Sequence, residues 1–126
     1  MKYLSILCLF LFTVSCEQEK VSQNELLGNW EWTSTYGSIA GIETTPENTG
    51  MEQSLEISEE TISFFVDGEK TSELSYDAFE SDTILGDNVL RKFISYDGDT
   101  RRYTLQNDSL SIFDLCADCY DSHFIR

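Results

Sequence analysis

Basic side chains are scarce in this 126-residue chain: 8 lysines and arginines stand against 23 aspartates and glutamates, a formal net charge of −15. A surface of that sign repels nucleic acid and anionic headgroups, so no nucleic-acid partner is expected. Histidine occurs once, as His123, which leaves a Ser/His relay without a supporting motif. G-x-S-x-G, H-E-x-x-H, EF-hand spacing and a Gly-rich phosphate loop are all missing. No catalytic residue, metal site or cofactor is therefore expected, and the chain does not read as an enzyme. Proline also occurs once, as Pro46, and no helix of ordinary length is visible. The longest apolar run, Tyr3 to Val14, is too short for a membrane-spanning helix. An aromatic content of 13% nonetheless sets the chain apart from a disordered acidic tail.

That apolar run has the form of a cleaved address. Lys2 supplies a positive start, the apolar stretch follows, and Val14-Ser15-Cys16 closes it. These residues resemble the lipobox of bacterial lipoproteins, in which the cysteine is acylated and becomes the new N-terminus. The rival is an ordinary secretory signal cleaved near Ser15. The resemblance implies a signal peptide over 1–15, a lipidated Cys16 with a polar linker over 16–24, and a single domain over 25–126. Each buried methylene of an acyl chain contributes roughly 0.8 kcal/mol, so two or more chains anchor the protein permanently to the membrane. Glu17 follows the cysteine where an inner-membrane retention signal prefers aspartate, so the outer membrane, on its periplasmic face or at the cell surface, is the expected location. Without residues 1–15 the basic count falls to 7 and the net charge becomes −16.

The rest of the chain alternates with period two, as half-buried strands do. Trp30, Trp32 and Ser34 share one face against Asn29, Glu31 and Thr33. Leu55 with Ile57, then Ile62, Phe64 and Val66, form further inward rows. Asp67-Gly68 and Asp97-Gly98 each separate two such runs and mark tight hairpins, since these residues accept the positive φ of primed turns. Asn107-Asp108 and Ala117-Asp118 mark two more turns. Counting Trp30, Leu55, Ile62, Leu74, Leu90, Tyr103, Ile112 and Phe124 as centres predicts about eight strands. The expected architecture is all-β: an antiparallel up-and-down meander closed into a barrel that is either filled or holds one small ligand. A two-sheet sandwich is the rival. Tyr36 to Gly50, with three of the seven glycines and the only proline, interrupts the rhythm. It reads as a lid, a recognition loop or a plug, with Ile39 and Ile42 folded back over the barrel mouth.

Leu27-Gly28-Asn29-Trp30, the Gly-rich stretch after Tyr36, Thr45-Pro46 and the ending from Leu110 to Arg126 together resemble the short lipocalin-like domains of bacterial envelope lipoproteins. The resemblance implies a barrel open at one end, binding a small hydrophobic molecule, with no shared catalytic residue. It also implies closure of the other end by Gly28, Trp30 and Arg126, with the guanidinium stacked on the indole. Trp32, Phe64, Tyr76 and Tyr103 are the expected cavity wall. The alternative is a filled barrel acting as an accessory lipoprotein whose long loop meets an envelope protein partner.

Cys116-Ala117-Asp118-Cys119 is the one C-x-x-C, and an oxidising envelope favours a local disulfide there. Asp118 and Asp121 oppose the lowered thiol pKa that a redox-active pair needs. Cys116, Cys119, Asp121 and His123 form a conceivable metal set, but one that a disulfide abolishes. Arg91-Lys92 and Arg101-Arg102, on strands joined by one hairpin, read as a small basic patch paired with neighbouring acids or serving as an anion anchor.

Overall fold

The computed structural model describes residues 25–37, 40–116 and 118–126. Segments 1–15 and 16–24, with Cys16, lie outside the described residues, as does Ile39.

Among the described residues, nine strands and one short helix follow one another: β1 (Gly28–Gly37), β2 (Ile42–Thr44), α1 (Pro46–Thr49), β3 (Gln53–Ile57), β4 (Thr61–Val66), β5 (Glu69–Ser81), β6 (Arg91–Tyr96), β7 (Asp99–Gln106), β8 (Ser109–Asp114) and β9 (Tyr120–Ile125). β1 pairs antiparallel with β3, each of β3 to β8 pairs antiparallel with the next strand, and β9 returns to pair with β1, so the meander closes into an eight-stranded barrel. Closure gives each of the eight barrel strands a partner on both sides, which a sandwich of the same strands does not. β2 is the extra strand, hydrogen-bonded to the upper part of β1.

The turns behave as their chemistry requires. Asp67 and Gly68 have φ of 51° and 81°, and Asp97 and Gly98 have 54° and 76°, the left-handed pair of a primed turn. These turns and the Cys116–Cys119 turn define one end of the barrel, hereafter the mouth. Glu25, Leu26 and the Asn107-Asp108 turn lie at the other.

The interior is built from Trp30, Trp32, Leu55, Ile57, Ile62, Tyr76, Ala78, Ile94, Tyr103, Leu110, Ile112 and Phe124, with Leu26 closing it from below. Several expectations need correction. A β-bulge lies between Trp32 and Ser34, so Ser34 leaves the inward row and Thr35 takes its place beneath the Trp32 indole, whose Nε1 donates to Thr35 Oγ1 at 2.8 Å. Leu90 is not a strand centre: β6 starts at Arg91 and Leu90 is 63% exposed. The described residues between Tyr36 and Gly50 carry regular structure, the end of β1, then β2 and α1. Ile42, expected over the mouth, is exposed. Its strand lies on the outer edge of β1, which takes it away from the core.

Tyr76 and Tyr103 are buried phenols, and burial, the largest cause in both, raises their pKa above the ordinary value. For Tyr103 the Glu25 carboxylate adds to the rise. Tyr96 shifts the same way, through burial. A folded-state pKa raised above the unfolded one stabilises the protein fully below the unfolded tyrosine value of about 10, and that stability is lost as pH rises toward the folded values. Absorbance titration of phenolate formation is expected to show a group of tyrosines that ionise only as the fold is lost. Normal titration of Tyr76, Tyr96 and Tyr103 together with the exposed tyrosines, with the barrel intact by circular dichroism, would contradict these burials.

Candidate functional site

The strands that carry the mouth diverge there. β1 pairs with β3 only from Gly28 to Glu31, opposite Ile57 to Ser54, and then turns its edge to β2. Above that point the wall between β1 and β3 opens, and β5 carries a bulge opposite the Phe64–Phe65 step. The result is an open pocket of about 340 Å³ in the mouth. Its apolar floor is formed by Leu55, Phe64, Ile112 and Phe124, and its rim by Gln53, Ser72, Tyr96, Asp114, Tyr120 and Ser122. A pocket of this size is at the lower bound for small-molecule sites. A second depression of about 290 Å³ lies in the gap between β1 and β3 and shares Gln53 and Ser54 with the first; Trp32 and Pro46 line it.

Polar groups around the mouth pocket are held in place. Arg101 stacks on the Tyr96 ring, 3.9 Å from its centroid, and its Nε donates to Asp114 Oδ1 at 3.1 Å. Another guanidinium nitrogen donates to the Tyr96 carbonyl at 3.0 Å. Phe64 and Tyr96 form a tilted pair, centroids 5.6 Å apart. Ser122 Oγ is hydrogen-bonded to Thr35 Oγ1 at 3.0 Å, which continues the link to Trp32.

The opposite end is sealed. The Trp30 indole is fully buried and its Nε1 donates to the Leu26 carbonyl at 2.9 Å. Arg126 lies over the ring at 4.3 Å and donates to the carbonyls of Glu25 and Leu27. Gly28, at φ 133°, occupies a region that side-chain-bearing residues avoid, and it turns the chain from Glu25-Leu26 into β1. Glu25 Oε1 accepts from both Lys92 Nζ at 2.7 Å and Tyr103 OH at 3.2 Å.

Of the expected cavity residues, only Phe64 lines the mouth pocket. Trp32 lines the neighbouring depression. Tyr76 and Tyr103 face inward but lie in the filled lower half: Tyr76 OH donates to the Ser58 carbonyl at 2.6 Å, and Tyr103 OH reaches Glu25. Period-two alternation identifies the inward face of a strand but not the height of a residue along the barrel, and that is why those two are misplaced. The four basic side chains do not gather into one patch, but three of them pair with neighbouring acids as expected, Arg91 with Asp87, Lys92 with Glu25 and Arg101 with Asp114. Lys92 and Arg101 face inward toward opposite ends, Arg91 pairs with Asp87, and Arg102 lies over Phe113 on the outer wall.

Cys116 and Cys119 are joined by a disulfide. His123 faces outward, hydrogen-bonded through Nδ1 to Ser111 Oγ and set edge-on to Phe113. No group of metal-ligating side chains occurs among the described residues. Sequence reasoning missed Tyr96, Asp114, Tyr120 and Ser122 as pocket residues, although the same alternation puts Ser122 and Tyr120 on the face of Phe124. It also missed Gly37, where an added Cβ would come within 2.9 Å of the Tyr120 backbone. The close approach of β1 to the disulfide turn requires glycine there. Fold and site together define a closed antiparallel β-barrel with one sealed end and one open, partly polar mouth. No family model matches the chain, and no curated protein matches it.

Proposed function

We propose that this protein is a lipid-anchored envelope lipoprotein whose lipocalin-like barrel takes a small, largely hydrophobic molecule into its mouth. The open pocket of about 340 Å³ above a filled and sealed lower half supports this reading. Apolar side chains line its floor, and its polar groups are fixed by one another, as a binding site needs for orientation. The role is binding, without catalysis: Arg101 and Asp114 are tied together at the pocket, and His123 sits on the outer wall.

The anchor follows from Lys2, the apolar run and Val14-Ser15-Cys16. The barrel enters at Glu25, at its sealed end, so a linker of residues 16–24 would leave the mouth at the end away from the membrane. The filled lower half favours a second reading, an accessory lipoprotein whose barrel is only a scaffold for a partner protein.

Native and intact mass spectrometry of material from its own envelope tests both. The expected result is a chain beginning at Cys16, heavier by its acyl chains, with a copurifying small molecule. A chain retaining residues 1–15 would sink the anchor, and a stoichiometric protein in place of a small molecule would favour the scaffold.

A further inference from the structure

The mouth pocket has an unusual charge make-up for a barrel expected to take neutral or fatty molecules. Among the residues that line it there is one carboxylate, Asp114, and no basic side chain. Arg101 faces inward but does not line the pocket: it is stacked on Tyr96 and bonded to Asp114 and to backbone carbonyls, and its side chain is only 16% exposed. It therefore holds Asp114 in position and has no free face for an anionic ligand.

Asp114 keeps acceptor capacity. Its Oδ1 takes the Arg101 Nε–H and its Oδ2 the Tyr120 N–H at 3.4 Å, one bond on each oxygen, where each has two lone pairs. Tyr96, Phe64 and Tyr120 lie in the same lining, and the Arg101 guanidinium already covers one face of Tyr96 at 3.9 Å. A carboxylate beside aromatic faces is the arrangement that recognises an organic cation, through charge and through the ring quadrupoles. The wider mouth has the same sign. Glu52, Asp67, Asp97 and Asp121 are each the immediate chain neighbour of a lining residue, Asp99 opens β7 and Asp118 lies in the Cys116–Cys119 turn, while the one lysine so placed, Lys70, is paired with Glu73. Such a field raises the local concentration of cations and disfavours carboxylates.

We propose that the mouth pocket selects an amphipathic organic cation, an ammonium group carried on an apolar or aromatic body, with the remaining lone pairs of Asp114 as the charge partner and Phe64 and Tyr120 among the aromatic side chains that line the same pocket. This rests on the small-molecule reading of the pocket and narrows it to one ligand class.

Three probes of the same shape separate the two levels: naphthylmethylamine, naphthylmethanol and naphthylacetate, each titrated calorimetrically into the purified protein at neutral pH. The amine is expected to bind about ten-fold more tightly than the alcohol, with the carboxylate weakest. That margin should contract as salt is raised to about 0.5 M, because the rim charges are screened. Asp114→Asn is expected to bring the amine down to the level of the alcohol and to strengthen the carboxylate, since Arg101 then lacks its counter-ion. If the alcohol binds as well as the amine, or the carboxylate binds best, the charge selection is wrong while the pocket stands. If none of the three binds, the pocket reading fails and the selection with it. The salt dependence is read on the unaltered protein, so the outcome does not depend on the variant folding.

Discussion

Replacing Trp30 with alanine lowers the unfolding free energy by about 3–5 kcal/mol, the range for deleting a large aromatic from a core. Against a typical domain stability of about 5–15 kcal/mol, that leaves a marginal barrel. Three losses coincide. The indole is fully buried, its Nε1–H satisfies the Leu26 carbonyl, and its face holds the Arg126 guanidinium at 4.3 Å. Without the ring, Glu25-Leu26 and the chain end no longer have a common surface to close on. Urea denaturation followed by far-ultraviolet circular dichroism measures the loss. Trp30→Phe, which keeps an aromatic body and drops the donor, is expected to fall between the wild type and Trp30→Ala. Arg126→Ala alone should cost less, and in the Trp30→Ala background it should cost about 0.5–2 kcal/mol less than in the wild type, the worth of the stacking. Additive losses at the two positions would show that the sealed end is not held by that contact.

Ser72→Trp abolishes ligand uptake with little change in stability. Ser72 lines the mouth pocket from β5, opposite Phe64, and it is exposed. An indole there occupies the space a ligand would take, yet removes no buried contact, so the unfolding free energy should stay within about 0.5 kcal/mol. Affinity for naphthylmethanol should drop by about thirty-fold or more, roughly 2 kcal/mol. Thr104→Trp, on the exposed outer face of β7, is the control and should bind normally. Retained binding in Ser72→Trp would move the site elsewhere, with the depression beside Trp32 and Pro46 the next place to test.

Most of the barrel was readable from alternation and turns. Asp67-Gly68 and Asp97-Gly98 place two hairpins because few residue pairs accept their φ values, and a meander with one apolar face per strand has few ways to cover its edges. The ends of strands were less legible. Val89 and Leu90 are adjacent apolar residues that read as the head of a strand, yet both are exposed in the segment before β6. The bulge that moves Ser34 out of the inward row left no mark in the sequence, because it depends on how β9 pairs with β1 across about ninety residues of chain.

The site was harder still to read. Each of Trp32, Phe64, Tyr76 and Tyr103 is an inward aromatic by pattern, but only the tilt and stagger of the closed barrel decide which of them lies at the mouth. Tyr96, Asp114, Tyr120 and Ser122 come from three different strands and meet only after closure.

By itself, the sequence determined the number of barrel strands, the hairpins, most of the inward faces and the acidic charge, all of which depend on composition or on neighbours within a few residues. Tertiary structure alone decided that the lower half is filled, that β1 and β3 part to open a mouth, and that Arg101 stacks on Tyr96 and pairs with Asp114 instead of standing in a basic patch. The reason is geometric. Register and stagger set the height of each side chain along the barrel, and they are properties of all eight strands together.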